Sequence, residues 1–155
     1  MLTVLITASD DAKALGRLLT ALVPGAAVGL VRDVIVLSAE GDSREVAEDA
    51  GATLAARGEA ARAIDKSRGE WLAGLPLMAT LAPDWMALVT DHLARETRAA
   101  ARLTGPGGFP RLGGKARLEG WLVPRSLAPS AGVVEQDLQR LARRSGVRLR
   151  VLAGR

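Results

Sequence analysis

The chain contains no cysteine and no tyrosine, and only one phenylalanine and one histidine among 155 residues. The missing cysteine excludes disulfides and thiolate catalysis and fits a reducing compartment. Four aromatic residues (Trp71, Trp85, Phe109 and Trp121) are too few for the stacking platforms that hold single-stranded nucleic acid, so nucleic acid is not an expected partner. The lone His92 has no cysteine or second histidine near it in sequence, which leaves it a structural role rather than a catalytic one. No apolar run reaches the roughly 18 residues that span a bilayer. The apolar run at Leu2–Ala8 has no cationic segment before it and makes a poor signal peptide, so a cytoplasmic protein is expected.

What is present fits one domain, 1–155, with 48% hydrophobic and 25% charged residues. Eighteen of the 21 cationic residues are Arg, which with abundant Ala and Gly points to a GC-rich bacterial genome. Charge is divided unevenly. Eight Lys/Arg against 13 Asp/Glu leave residues 1–94 at −5, while 13 against 4 leave residues 95–155 at +9. A basic C-terminal third can face phosphates or an anionic membrane surface, or can be an ordinary solvated face.

Leu2–Ala8 reads as a buried strand. Asp10 or Asp11 then caps a helix carrying Leu15, Leu18, Leu19 and Leu22, which Pro24-Gly25 should end. Asp33–Ser38 is a second apolar strand. Asp42 or Ser43 should cap the next helix, with Gly51 as its stop. Ala52–Ala55 is a short strand, 59–68 a helix and Glu70–Leu75 another strand. Pro83 opens a helix whose face is Trp85, Leu88, Val89 and Leu93. Further strands are expected over Arg117–Val123 and Val147–Leu152, with a helix over Val134–Arg144 between them. A Gly/Pro loop near 104–114, centred on Gly105-Pro106-Gly107-Gly108-Phe109-Pro110, separates the acidic part from the basic part. It lacks the strand-before, helix-after spacing of a phosphate-binding glycine motif and is expected to be a flexible loop at a cleft mouth. Strand and helix alternate from residue 2 to 97, which predicts an α/β fold: a three-layer sandwich with a mostly parallel sheet, adjacent parallel ladders within residues 2–75, and helices on both faces.

The order of these elements and several local segments resemble a family 2 glycosyltransferase with the GT-A type fold. The segments are Leu5–Asp11, the run Val34–Ser38 continuing through Gly41–Ala47, Gly69–Leu72 with Leu81–Trp85, Gly120–Arg125, and Asp137–Leu141 with Gly146. The resemblance implies transfer of a sugar from a nucleotide-sugar donor to a cell-envelope acceptor. It places nucleotide contacts on Thr7, Ser9, Asp11, Ser38, Asp42 and Arg62, and the catalytic base on Glu135, the second position of an acidic pair whose first position is Val134.

The departures from the family pattern are chemical. An Asp that closes the second strand in the family is here Ser38, a weaker partner for a base than a carboxylate. The carboxylates that hold Mg or Mn fall on Pro76 and Met78, and a thioether does not bind such hard cations. No metal cofactor is therefore expected, and a non-catalytic relative that binds a nucleotide, a glycan or a protein partner is the alternative reading. Several residues carry a plain explanation beside the functional one. Asp10, Asp11 and Asp42 also suit helix caps, Glu135 also suits the first turn of a helix, and Arg62, Asp65, Arg140, Arg143 and Arg144 also suit solvated faces. Trp71, Trp85 and Trp121 are expected in the core. A homodimer suits so short a chain, though no particular residue argues for it.

Overall fold

The computed structural model describes residues 1–95, 97–105, 119–128 and 135–153. Along the chain lie β1 (Leu2–Thr7), α1 (Ala12–Ala27), β2 (Val31–Leu37), α2 (Gly41–Asp49), β3 (Thr53–Ala55), α3 (Ala60–Lys66), β4 (Trp71–Leu75), α4 (Trp85–Leu93), β5 (Ala101–Leu103), β6 (Gly120–Pro124), α5 (Glu135–Arg144) and β7 (Arg148–Leu149). The strands form one sheet in the order β3-β2-β1-β4-β6-β5-β7. The pairs β1–β2, β1–β4, β2–β3 and β5–β7 are parallel, while β4–β6 and β5–β6 are antiparallel.

Alternation along β1 assigns the layers. Leu2, Val4 and Ile6 pack among Leu15, Leu18 and Leu22 of α1 and Trp85 and Val89 of α4. Leu5 packs on the other side with Ile64 of α3 and Leu138 and Ala142 of α5. The sheet is thus the middle layer of three, as the uninterrupted burial of β4 and β6 requires. The three tryptophans lie in the core. Among the described residues no helix is long and apolar enough to cross a membrane.

From β1 the chain winds outward through β2 to β3, then returns to place β4 on the other side of β1. The winding direction therefore reverses at the β1–β4 pair. In open α/β sheets such a reversal leaves a crevice outside the carboxyl ends of the strands. Antiparallel pairing of β6 against β4 begins the second half of the sheet. There Gly74 is obligatory, because a Cβ would collide with the Trp121 indole packed over it.

Several elements differ from expectation. Pro24 does not end α1, which runs on to Ala27 and stops before Gly29 at φ 76°. Proline removes only the bond to the Thr20 carbonyl, and because Thr20 and Pro24 are both exposed, water can satisfy it. Asp42 and Ser43 do not cap α2. Glu40 holds the cap position without a side-chain bond, Asp42 lies exposed in the first turn, and Ser43 turns inward. Gly51 does stop that helix, in the left-handed region that a C-terminal glycine favours. β5 was not anticipated: at three residues it carries too little pattern to register. The last strand shrinks to Arg148–Leu149 plus one antiparallel bridge between Leu81 and Leu152. Most of the 104–114 loop, Val134, and the start of the strand expected over Arg117–Val123 lie outside the described residues.

Candidate functional site

The carboxyl tips of β1, β2 and β3 are held level by backbone bonds that continue the ladders. Ala8 N donates to Leu37 O (2.8 Å) and Ser38 N to Ala55 O (2.9 Å). The turn after β1 is fixed from both sides. The buried Ser43 hydroxyl donates to Ser9 O at 2.7 Å, anchoring the turn to α2. Asp11 Oδ1 accepts from Ala14 N at 2.8 Å as the α1 cap, and Ser9 Oγ accepts from Asp11 N at 3.4 Å. One oxygen of Asp11 is committed to the helix, which leaves Oδ2 for another partner.

Glu135 opens α5 above the tip of β1, and Thr7 Oγ1 donates to its Oε2 at 3.2 Å across 128 residues of sequence. The contact brings an acid from the closing helix to the strand beside the reversal in winding. Ser38, at the tip of β2, has φ 57°, a left-handed conformation uncommon for a non-glycine residue and frequent at functional turns. It is half-buried.

Of the residues named from sequence, Thr7 and Glu135 are joined directly, Ser9 and Asp11 share one turn, and Ser38 sits on the adjoining tip. Asp42 and Arg62 stand apart, exposed on α2 and α3, with no side-chain hydrogen bond among the described residues. His92 has the structural part expected of it. It is buried, its Nε2 lies 2.7 Å from Ala99 O and must donate there, and its ring meets Trp71 edge-on.

The tip of β4 runs into a turn closed by Ala79 N donating to Pro76 O at 2.9 Å. Pro76 and Leu77 are half-buried, and Met78 is 41% exposed. None carries a side-chain oxygen, and no group of three or more His, Cys, Asp or Glu among the described residues could hold a metal ion. The donor set at this tip does not fit a hard divalent cation, which takes oxygen ligands.

Sequence reasoning missed two charged clusters. Arg125 donates to Gly69 O (2.7 Å), Ile64 O (3.0 Å) and Ser67 Oγ (2.6 Å), which locks the end of α3 to β6. Glu119 receives Arg102 and Arg143 from two further elements. Neither partnership has a sequence signal, because each joins residues distant along the chain. Hollows of about 720 Å³ and 760 Å³ open elsewhere, the first beside Met1, Glu70 and Arg98 and the second between α1, α2 and the β2 edge. Neither is lined by the carboxyl tips of the strands, so topology rather than concavity locates the candidate site.

No protein-family model matches the chain, and no curated protein matches it by sequence. Solved structures do match by shape. Glucosyl-3-phosphoglycerate synthase from Mycobacterium tuberculosis, in complex with phosphoglyceric acid, superposes with a TM-score of 0.65 at 20% identity, covering 100% of this chain and 72% of that one. The same enzyme with Mn2+, uridine diphosphate and glucosyl-3-phosphoglycerate gives 0.64 at 20% identity, again over 100% and 72%. A mycobacterial protein gives 0.62 at 21% identity, covering 97% of this chain and 64% of that one. At this identity the likeness establishes the fold: a mixed seven-stranded α/β sandwich of the GT-A glycosyltransferase type.

Proposed function

We propose that the chain is a glycosyltransferase-type protein that seats a nucleotide-sugar donor outside the carboxyl tips of β1, β2 and β4. The observation that carries this reading is the Thr7–Glu135 bond, which sets an acid of the closing helix over the strand where the sheet reverses its winding. Ser9, Asp11 and Ser38 would take the base and ribose, with Asp42 and Arg62 at the rim. Glu135 would accept the proton of an acceptor hydroxyl, using the oxygen not engaged by Thr7. A cell-envelope acceptor is the substrate class that the resemblance brings with it.

A second reading is favoured by one observation. The β4 tip carries Pro76 and Met78 where the fold's enzymes neutralise a leaving diphosphate, and a base alone contributes little without that neutralisation. On this reading the chain retains the pocket and binds a nucleotide, glycan or protein partner without turning it over.

Calorimetric titration with UDP and UDP-sugars, with added Mn2+ and then with chelator, tests both. Binding at micromolar to millimolar concentration that chelator leaves unchanged supports a pocket that works without a cation. Absence of heat at millimolar ligand removes the donor-binding proposal. Release of UDP from a bound UDP-sugar in the presence of an acceptor extract separates the transferase from its non-catalytic alternative.

A further inference from the structure

We infer that Arg102 and Arg143, gathered on Glu119, form a phosphate-oxygen binding site beside the tip of β4, whose own turn residues Pro76, Leu77 and Met78 carry no side-chain oxygen for a divalent cation. The inference rests on the reading above for the ligand it names, the donor's diphosphate, but not for the chemistry of the site.

Placement comes from the ladders. Gly74 pairs with Trp121 in the antiparallel β4–β6 register. Glu119 immediately precedes Gly120, the first residue of β6, and so lies at the end of the sheet where β4 finishes at Leu75. Leu103 pairs with Gly120, so β5 brings Arg102 to the same end of the sheet. Arg102 and Trp121 are directly paired and therefore share a face. It is the face covered by α5, whose Leu138 and Ala142 pack with Trp121. Arg143 comes from that helix.

The charges do not cancel. Arg102 Nη1 donates to Glu119 Oε1 at 3.0 Å, and Arg143 Nε donates to Oε2 at 3.3 Å. Both carboxylate oxygens are thus engaged while two guanidinium groups surround one anion, which leaves a local charge of +1. Arg148 lies beside Arg102 in the β5–β7 register and adds a third, exposed cation. Donors are left over as well. Arg143 has only its Nε engaged among the described residues and is exposed, and Arg102, which keeps a minority of its side chain exposed, uses Nη1 alone on Glu119. A guanidinium presents paired N–H groups spaced for phosphate. Glu119 acts as the template that holds both forks at one point, while the excess charge waits for an anion.

A tie between helix and sheet would need one arginine; the second and third make the cluster electropositive. It stands at the tip where a developing diphosphate charge needs opposing charge. Arginine meets that need without hard oxygen donors.

The test uses the full chain and three probes: UDP, uridine and inorganic pyrophosphate, each titrated in chelator. UDP should bind more tightly than uridine, and pyrophosphate should compete with UDP. Arg143→Gln, at an exposed position, should weaken UDP and pyrophosphate about tenfold and leave uridine unchanged, the loss typical of one charge-assisted contact. Glu119→Gln should act in the opposite direction, tightening pyrophosphate roughly threefold by removing the counter-charge. A merely structural cluster would lower the melting temperature in both variants without moving the anion affinities in opposite senses. Pyrophosphate that still binds when UDP is saturating would assign the site to a phosphate on the acceptor, with the cluster as its receptor all the same. Equal affinities in wild type and Arg143→Gln, or no pyrophosphate binding in chelator, would overturn the inference. No UDP binding with pyrophosphate binding intact would instead remove the donor reading and keep the anion site.

Discussion

The two halves of the sheet are built on different principles. β3, β2, β1 and β4 run parallel, are joined by helices, and belong to a stretch of chain at −5. β6 pairs antiparallel with both β4 and β5, β7 adds parallel to β5, and the three strands belong to a stretch at +9. In the first half, hydroxyls and short acids cluster at strand tips and are held by caps and turns. In the second, arginines reach across elements to fix carbonyls and a single glutamate. On the proposed reading, the first half would serve as a nucleoside cradle and the second as an anion trap. The β4–β6 seam brings them together, and the candidate site spans it through Thr7 and Glu135.

If the seam makes one cooperative unit, its tightest point should be its weakest to substitution. Gly74→Ala places a methyl group in the volume of the Trp121 indole. The β4–β6 ladder cannot widen locally, since Gly120 is itself so close that a Cβ there would lie 2.6 Å from Gly74 O. We expect a loss of about 3 kcal/mol, the upper range of overpacking, read as a lowered midpoint in urea with a single transition. Trp121→Leu in the same chain should recover part of it, because the two changes share one space. Two separate transitions instead of one would break the comparison, by showing that the halves unfold independently.

Arg125 is the second bond across the seam. It follows β6 but spends its guanidinium on Gly69, Ile64 and Ser67, all in the acidic half. Arg125→Ala should cost about 2 kcal/mol, because two buried carbonyls and a hydroxyl lose a charged donor together. Arg125→Lys should recover only a minority of this, since an ammonium cannot reproduce the fork. A denaturation midpoint unchanged in Arg125→Ala would mean that water replaces the arginine, and that the halves adhere through side-chain packing alone.

The contrast between halves also explains what could be read from the chain. Parallel strands covered on both faces are written as continuous apolar runs such as Leu2–Thr7 and Val34–Leu37, and glycine at position 51 marks its helix end. These are local signals, and they locate the strands of the first half to within a residue or two, although the end of α1 and the cap of α2 fall elsewhere than expected. β5 has three residues, one of them Arg102, and its existence depends on β6 and β7 lying beside it. No local pattern encodes that. The same division holds at the site. The turn residues Ser9 and Asp11 and the helix-opening Glu135 are legible because caps and first turns follow from sequence. That Thr7 meets Glu135, or that Glu119 collects two arginines, is decided by sheet order and helix angle. Asp42 looked like a cap and is not one, because Ser43 turns inward to hold the Ser9 carbonyl and the backbone at Glu40 takes the cap position unaided.

The smallest effect expected is at Ser38, where the acidic half departs from its own regularity. The residue keeps its backbone bond to Ala55 O while adopting φ 57°. For a residue with a Cβ this conformation costs on the order of 1 kcal/mol, which Ser38→Gly would relieve. Glycine also loosens the unfolded chain, which takes back a similar fraction of the gain. The net change in stability should therefore lie within about 0.5 kcal/mol of zero. Ligand binding should not be neutral. If the strained turn exists to present a hydroxyl to a base, Ser38→Gly should weaken UDP by roughly fivefold, the loss of one neutral hydrogen bond, while pyrophosphate binding stays the same. Equal weakening of both probes would blur the division between cradle and trap. A stabilised variant with unaltered UDP affinity would show that the strain at β2 serves the turn and not the nucleotide.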